Sequence, residues 1–401
     1  LDRSSAASDV YKRQARPAGP SPGVAAPRAA RSAAFCYRRR VSPTPYGTPA
    51  EHLRDHLALA ALALRAAVRR RQLGDAARWP DDAELAGLRA ELDRGAATER
   101  ARAAASELTA TPLRRLQALF GLSATEVAVL VLLVGLELDL RLRAQVRTLM
   151  NDKQRSHPDV GLLAELLYVT PGERARVPEE LGGDGALVRF GLIRVDQIAD
   201  TAFVLRRVRA VGRVVELVHG TDVLDRELGR LVELVPARPR AELVLEGEVF
   251  EQLTGLVTAA VAAGRRGEPH PVLLLSGPDG SGRKAMLAAA AASAGLRTLR
   301  VRAKALPRDL AGLRALGPRL VREAVLWNAL VVLDGVDQHA DGGEVRLDDA
   351  LLDGYVGPVA ATCGKITGRP PQLGRGAVVL AVGVPGEGAR EALWQQALPA
   401  G

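Results

Sequence analysis

Between residues 51 and 110 apolar residues recur every three or four positions, which is the spacing of amphipathic helices. The first run is periodic at Leu53, Leu57, Ala60 and Leu64. A second helix is predicted over 82–92 and a third over 99–108. None of them carries a set of catalytic side chains. We therefore expect a helical region over 51–110 that packs against the next domain or docks a partner.

The stretch 111–140 has sharper helix boundaries. Gly121 is placed to end one helix, and Ser123 followed by Glu126 predicts a capping box at the start of the next. Residues 125–136 are apolar nearly all round, so this second helix is expected at the centre of its domain.

Two more helices and two extended segments follow. The helices are predicted over 141–150 and 160–167, and the extended segments over 187–195 and 202–208. Three helices followed by a two-stranded wing predict a winged-helix domain, which we assign to residues 111–235.

A winged helix raises the question of DNA binding. Basic residues near the predicted recognition helix are Arg141, Arg143, Arg147, Lys153 and Arg155. The recognition helix itself, over 160–167, has Glu165 as its only charge and offers no Arg, Asn or Gln to a base edge. We therefore favour a structural or partner-docking role and do not expect nucleic acid as the partner.

After residue 241 the pattern changes to that of an α/β domain. VLLLSGPDGSGRK, at 272–284, is an apolar strand that breaks into a glycine-rich turn, and an Ala-rich helix follows over 285–294. Glycines let backbone N–H groups turn inward, and the helix adds its positive N-terminus. This predicts a phosphate-binding loop formed by Gly277, Pro278, Asp279, Gly280, Ser281, Gly282, Arg283 and Lys284.

The loop departs from the GxxxxGK[ST] pattern at its last two positions. Arg283 stands where the phosphate-binding lysine belongs, and Lys284 stands where a magnesium-binding hydroxyl belongs. Arginine is longer and planar, and lysine cannot be a metal ligand while it carries a proton. Phosphate binding and catalysis are therefore separate questions for this sequence.

A second strand carries the partner of this loop. LVVLD, at 330–334, is strongly apolar and ends in Asp334, which is the Walker B pattern of a carboxylate that orients Mg²⁺. The next position, where a glutamate would polarise water, is Gly335, and the nearest substitute is Asp337. The sequence therefore predicts an ATP and Mg²⁺ site with Asp334 as the metal ligand and leaves ATP hydrolysis open.

Three later polar residues are further candidates for the site. Thr362 ends a predicted strand at 357–362, where its hydroxyl can bind the γ-phosphate or the attacking water, or cap the following turn. Arg369 and Arg375 precede the last predicted strand, at 377–382, where either can serve as an arginine finger on a neighbouring subunit or remain a solvated loop residue.

Composition restricts the remaining choices. The net charge is +9, but residues 1–40 alone hold nine basic groups against two acidic ones, so the rest of the chain is nearly neutral. Two cysteines are too few for a disulfide framework or a zinc site, and the longest apolar run, 127–136, is too short to cross a bilayer. We expect a cytoplasmic protein without membrane contact.

Residues 1–50 are expected to be a disordered or artefactual tail, and DVYKRQ at 9–14 looks like a translated sequencing adapter.

From about residue 112 onward the chain resembles bacterial AAA-type ATPases that carry an N-terminal variant winged helix. The matching segments are LRRLQALFGLSATEVAVLVLLVGLELDLRLR, HPDVGLLAELL, LLLSGPDGSGRK, LVVLDGVD and AREALWQQAL. The resemblance implies an α/β P-loop fold over 241–401, with a parallel sheet of strand order 5-1-4-3-2 and helices on both faces. It also implies that the lid is cut short at its first helix, predicted over 388–398.

The same resemblance implies ATP with Mg²⁺ as cofactors and a homo-oligomeric, hexameric ring that remodels a protein partner. By position it puts Thr362 near the first sensor and Arg375 near the finger. Two other functions remain open from the residues: a non-catalytic scaffold with a vestigial P-loop fold, and a winged-helix DNA-binding regulator that uses ATP as a switch.

Overall fold

The computed structural model describes residues 43–74, 76–150, 156–196, 200–237, 240, 247–339, 346–368 and 370–397. The predicted tail lies outside these residues except for 43–50. Arg369, Lys153 and Arg155 also lie outside them. Among the described residues, no helix has both the length and the apolar character that crossing a bilayer requires.

Two long helices form the N-terminal region. Helix α1 spans Pro49–Leu73 and α2 spans Ala83–Ala104. Thr48 caps α1 by accepting a hydrogen bond from Glu51 N at 3.3 Å, and Pro49 fits its first turn. The prediction of separate helices over 82–92 and 99–108 is wrong, because one helix, α2, joins them without a break and ends at Ala104. The segment between the two predicted helices contains Gly95, a weak helix former, but no proline.

A buried charged cluster joins α1 to α2. His52 Nε2 lies 3.2 Å from Glu99 Oε1 and 3.1 Å from His56 Nε2, and the Arg114 guanidinium pairs with both Glu99 oxygens. The two histidines and Glu99 have the mutual spacing of metal ligands. Arg114 already balances the Glu99 charge, so a dication here would leave excess positive charge in a buried place, and we assign the cluster a structural role.

The winged-helix region follows. Its long helices are α3 (Pro112–Phe120), α4 (Ala124–Leu138), α5 (Leu140–Met150) and α6 (Val160–Leu167). Short helices come next: α7 (Pro171–Ala175), α8 (Val177–Leu181) and α9 (Ala186–Arg189). The wing is an antiparallel pair of strands, β1 (Ile193–Val195) and β2 (Val208–Ala210). The extended segments predicted over 187–195 and 202–208 are only partly right, because residues 187–189 are helical and β2 overlaps the second segment only at Val208.

The capping box predicted from the sequence forms. Ser123 Oγ accepts from Glu126 N at 3.1 Å, and a Glu126 carboxylate oxygen accepts from Ser123 N at 2.8 Å. Gly121 ends α3 with φ 65°, a left-handed conformation that glycine adopts without strain. Helix α4 is buried along most of its length, as an all-round apolar helix must be.

The predicted recognition helix, α6, is covered by the chain's own N-terminal region. Arg71 pairs with Glu165 at 2.6 Å, and Arg70 donates to Leu166 O at 3.0 Å. The apolar positions of α6, including Val160 and Leu163, are buried in the core that it shares with α1. Because α1 lies against this helix, the arrangement disfavours its entry into a DNA groove.

The C-terminal half is built on one six-stranded sheet. Its strands are β3 (Val232–Val235), β4 (Val272–Ser276), β5 (Arg297–Arg302), β6 (Ala329–Asp334), β7 (Val359–Cys363) and β8 (Ala377–Ala381). They lie in the order β3-β5-β6-β7-β4-β8, and all neighbours are parallel except β3, which runs antiparallel to β5.

Helices cover both faces of this sheet. They are α11 (Gly247–Arg265) and α12 (Arg283–Ser293) on one face, and α13 (Leu310–Leu326) and α14 (Leu347–Leu351) on the other. Helix α10 (Gly212–His219) packs in the winged-helix core, and α15 (Glu387–Ala397) follows β8. Alternate residues of β4 serve opposite faces: Leu273 packs in the core with α11 and α12, and Leu274 packs in the core with α13. Strand β4 is therefore buried on both sides, as its continuous apolar run predicts.

The edge strand β3 was not predicted. Residues 222–231 are turns and irregular chain, and Val232–Val235 pairs with β5. The pairing is with residues more than sixty positions away, so periodicity within the segment itself does not reveal it.

Buried ion pairs fix the winged-helix region to α13. Arg322 pairs with Asp225 and donates to Gly191 O at 2.5 Å, and Arg213 pairs with Glu323 at 3.2 Å. Arg322 and Glu323 are wholly buried. Helix α13 leads directly into β6, so the domain contact is one short turn from the strand that carries Asp334.

Candidate functional site

A cavity of about 840 Å³ opens at the carboxyl ends of the parallel strands. The turn after β4 and the start of α12 form one wall, and the ends of β6 and β7 form another. Ligand sites of open α/β sheets lie at this edge, because the loops that follow the strands converge there.

Glycine conformation shapes the loop. Gly280 and Gly282 have φ values of 83° and 82°, in the left-handed region that other residues adopt only with strain. Gly277 is needed for a different reason, since a side chain there would collide with Val382 O. Gly277 and Pro278 lie on the β8 side of the loop, and residues 279–284 line the cavity.

Arg283 is engaged by its own domain. Its guanidinium donates to Cys363 O at the end of β7 and to Asp279 Oδ1, the latter at 3.1 Å, and its side chain is only 10% exposed. The long side chain therefore spans the loop instead of projecting from it. This contact also ties the loop to the strand beside β4.

Lys284 reaches the Walker B carboxylate. Its Nζ lies 3.1 Å from Asp334 Oδ2, and the lysine side chain is 57% exposed on the cavity side. The other carboxylate oxygen, Asp334 Oδ1, accepts from Thr362 Oγ1 at 2.8 Å. Both oxygens of Asp334 thus already have donors.

Thr362 holds the tip of β6. Besides donating to Asp334, its hydroxyl accepts a hydrogen bond from Gly335 N at 3.0 Å. Asp337 lies on the short helix Val336–Gln338, and its Oδ2 accepts from Gly364 N at 3.0 Å. Both residues line the cavity, so the structure brings Thr362 and Asp337 together with Asp334 and the loop.

Arg375 lies elsewhere. Its guanidinium donates to Leu352 O at 3.0 Å and to Tyr355 O, and it lies over the Tyr355 ring. Burial lowers the pKa of this guanidinium, more than the surrounding carboxylates raise it. In this chain Arg375 anchors the loop before β8 within its own domain and does not line the cavity.

Sequence reasoning missed a basic wall on the second strand. Arg300 and Arg302 of β5, with Lys304 just beyond it, line the cavity opposite the loop. Glu233 of the edge strand pairs with Arg300 and with Arg302, the latter at 3.0 Å. The sequence feature that could have predicted this wall is the alternation of basic residues in RTLRVRAK, at 297–304, since alternate residues of a strand share one face.

A phosphate group fits the residues present. Ser281 Oγ is buried and lines the cavity, and it has no hydrogen-bond partner among the described residues. The first N–H groups of α12 have no acceptor within their own helix. Basic side chains outnumber acidic ones around the cavity, which is lined by Arg283, Lys284, Arg300, Arg302 and Lys304 against Asp279, Asp334 and Asp337.

A magnesium ion does not fit in the same way. The ion requires near-octahedral oxygen ligands, and a P-loop supplies one of them from a hydroxyl at the position of Lys284. Here that position carries an ammonium group, which is a donor only. The same ammonium occupies one oxygen of Asp334, the only other metal ligand that the sequence predicted.

Comparison with known proteins identifies a winged-helix domain in the N-terminal half. Residues 39–232 match the family model of a variant winged helix domain, and the predicted winged helix is thereby confirmed. No curated protein matches the chain.

Two solved structures resemble part of the chain loosely. The FIGL-1 AAA domain in complex with ADP is 17% identical over 44% of this chain and 67% of its own, with a TM-score of 0.32. PCH-2 from C. elegans is 15% identical over 39% of this chain and 48% of its own, with a TM-score of 0.27.

Proposed function

We propose that the chain is a nucleotide-binding protein of the AAA type, in which a P-loop domain follows a variant winged-helix domain. The observation that carries the proposal is the meeting of the glycine loop with Asp334 at the carboxyl edge of the sheet. Counted from the P-loop strand, the parallel strands run 5-1-4-3-2, which is the order that the resemblance implies.

The activity that this architecture supports is that of an ATPase subunit in a homo-oligomeric ring, hexameric by the resemblance, that remodels a protein partner. Hydrolysis is weakened in this chain. Lys284 replaces the metal-binding hydroxyl, and Gly335 stands where a carboxylate would activate water. Cytoplasmic location belongs to the same proposal.

A non-catalytic scaffold is the second candidate, and one observation favours it. The Arg283 guanidinium donates to Asp279 and to Cys363 O, as expected of a residue that stabilises the loop and no longer binds phosphate. The third reading, a DNA-binding switch, is disfavoured by the pairing of Glu165 on the recognition helix with Arg71.

Binding of a fluorescent ATP analogue to the full chain tests the proposal. We expect saturable binding that weakens about tenfold in Arg283→Ala and persists in Arg283→Lys, because lysine restores the usual cation of the loop. Lys365→Ala is the matched control, since Lys365 is a nearby cation outside the cavity. Absence of saturable binding to the wild-type chain overturns nucleotide binding and leaves the scaffold.

A further inference from the structure

We propose that this site binds a nucleoside polyphosphate without a divalent cation, with the Lys284 ammonium in the place of Mg²⁺. The inference rests on the proposed function, because it specifies the form in which the nucleotide is bound. It follows from the disagreement between the residues of the cavity and the metal that a P-loop ordinarily holds.

The ammonium is placed between the carboxylate and the cavity. Lys284 lies in the first turn of α12, so its backbone is part of the phosphate cradle, and its side chain extends to Asp334 Oδ2 at 3.1 Å. An ammonium has three N–H donors. One is directed to Asp334, which leaves two for phosphate oxygens entering the cavity beside it.

A dication has poor access to the same position. It would have to displace Lys284 from Asp334 Oδ2, and it would then lie beside a positive charge. The hydroxyl that normally replaces a water ligand of Mg²⁺ is missing. Each of these three effects favours the ammonium over the metal ion.

The wall opposite the loop compensates for the smaller charge. One ammonium neutralises less phosphate charge than one Mg²⁺ ion, so a metal-free nucleotide needs further cations. Arg300, Arg302 and Lys304 line the cavity from β5 and the segment after it. A polyphosphate held between α12 and this wall meets positive charge on both sides.

The test compares nucleotide affinity in excess Mg²⁺ and in excess EDTA, with a fluorescent ATP analogue and the full chain. For the wild type we expect dissociation constants that agree within about threefold. For Lys284→Thr, which restores the hydroxyl and frees Asp334, we expect binding at least about tenfold tighter in Mg²⁺ than in EDTA.

Two control variants separate the charge of Lys284 from its position. Lys284→Ala is expected to weaken binding in both buffers without creating a preference for Mg²⁺, because alanine supplies neither cation nor hydroxyl. Lys304→Thr is expected to weaken binding equally in both buffers, because Lys304 lines the cavity without touching Asp334.

The outcomes are distinct. Wild-type binding that weakens about tenfold or more in EDTA overturns the inference and leaves the proposed function intact. A Lys284→Thr variant as insensitive to Mg²⁺ as the wild type also overturns it. Failure of every protein to bind the analogue in either buffer rejects the proposed function instead.

Discussion

Lys284 Nζ lies 3.1 Å from Asp334 Oδ2, although fifty positions separate the two residues in the chain. The pair joins the first turn of α12 to the end of β6 across the cavity. In a P-loop ATPase these two positions hold the metal ion between them. Here they are joined directly, and this contact separates nucleotide binding from metal-dependent chemistry.

ATP turnover should be very slow. Lys284 replaces a metal ligand and Gly335 supplies no carboxylate, and loss of general-base catalysis alone costs about 10²–10⁴ in rate. We expect phosphate release by the full chain at least about 100-fold below the 10 s⁻¹ of a typical enzyme, with no stimulation by Mg²⁺. Magnesium-dependent release that saturates with ATP at ordinary rates would contradict this account.

Glu233→Gln should strengthen nucleotide binding. The hydrogen bond from Arg302 is the main reason that the pKa of Glu233 lies below its usual range, with a further contribution from Arg300. Removing its charge releases both arginines to the cavity. Since such partly exposed pairs are worth about 0.2–1 kcal/mol, binding should tighten by up to about fivefold.

The control for that variant is Glu268→Gln, which neutralises an exposed carboxylate paired with Arg266 away from the cavity. It should leave the affinity for the ATP analogue unchanged. Weaker binding in Glu233→Gln than in this control would show that β5 does not supply cations to the nucleotide.

Arg322 should be a principal determinant of stability. Its side chain is fully buried between Asp225, Glu323 and Gly191 O, so Arg322→Met leaves buried carboxylates without their partner. Breaking a buried pair in this way costs about 3–5 kcal/mol. Chemical denaturation measures the change, and Arg319→Met, at a partly exposed pair with Glu227, should cost less than about 1 kcal/mol. Equal losses in the two variants would contradict the assignment.

The cluster of His52 and Glu99 should make stability depend on pH. Burial lowers the pKa of His52 below its usual 6.5, more than the hydrogen bond to Glu99 raises it. Burial alone would raise the pKa of Glu99, but hydrogen bonds from His52, His56 and Arg114 outweigh it and hold the pKa far below its usual range.

Both shifts have the same sign. At each group the unfolded chain binds a proton at a higher pH than the folded chain does. The contribution of the cluster to the free energy of unfolding is therefore complete above pH 6.5 and is lost as the pH falls. His52 is protonated first and Glu99 at lower pH. Melting temperatures measured from about pH 7.5 to 5 should fall less steeply in His52→Gln than in the wild type. Parallel slopes would contradict this account of the cluster.

The sequence predicted the features that are determined by residues close together in the chain, such as a helix cap and the glycine-rich loop. The box formed by Ser123 and Glu126 lies within one helical turn, and the loop at 277–284 is defined by its glycines and by the strand before it. Contacts between distant segments were not predictable in this way. The sequence identified Lys284 as a departure from the P-loop pattern, but only the fold brings it to Asp334.

The same distinction explains the errors. Val232–Val235 becomes a strand because β5 offers it an edge, and the basic residues of β5 gain a role because the loop after β4 lies opposite them. Arg375 donates to Tyr355 O, twenty residues earlier, and a finger role on a neighbouring subunit stays a prediction. The position of Arg375 in the sequence did not predict these contacts.

The nucleotide affinity of Asp334→Asn distinguishes a site built on the Lys284 ammonium from a site built on Mg²⁺. In a site that holds Mg²⁺, loss of this carboxylate weakens nucleotide binding, because a metal ligand is lost. If Lys284 acts in place of the metal, the substitution instead releases the ammonium and removes a negative charge from the cavity. We predict that the full chain with Asp334→Asn binds the ATP analogue more tightly than the wild type, in Mg²⁺ and in EDTA alike. Binding that weakens in Mg²⁺ and is unchanged in EDTA would contradict the account.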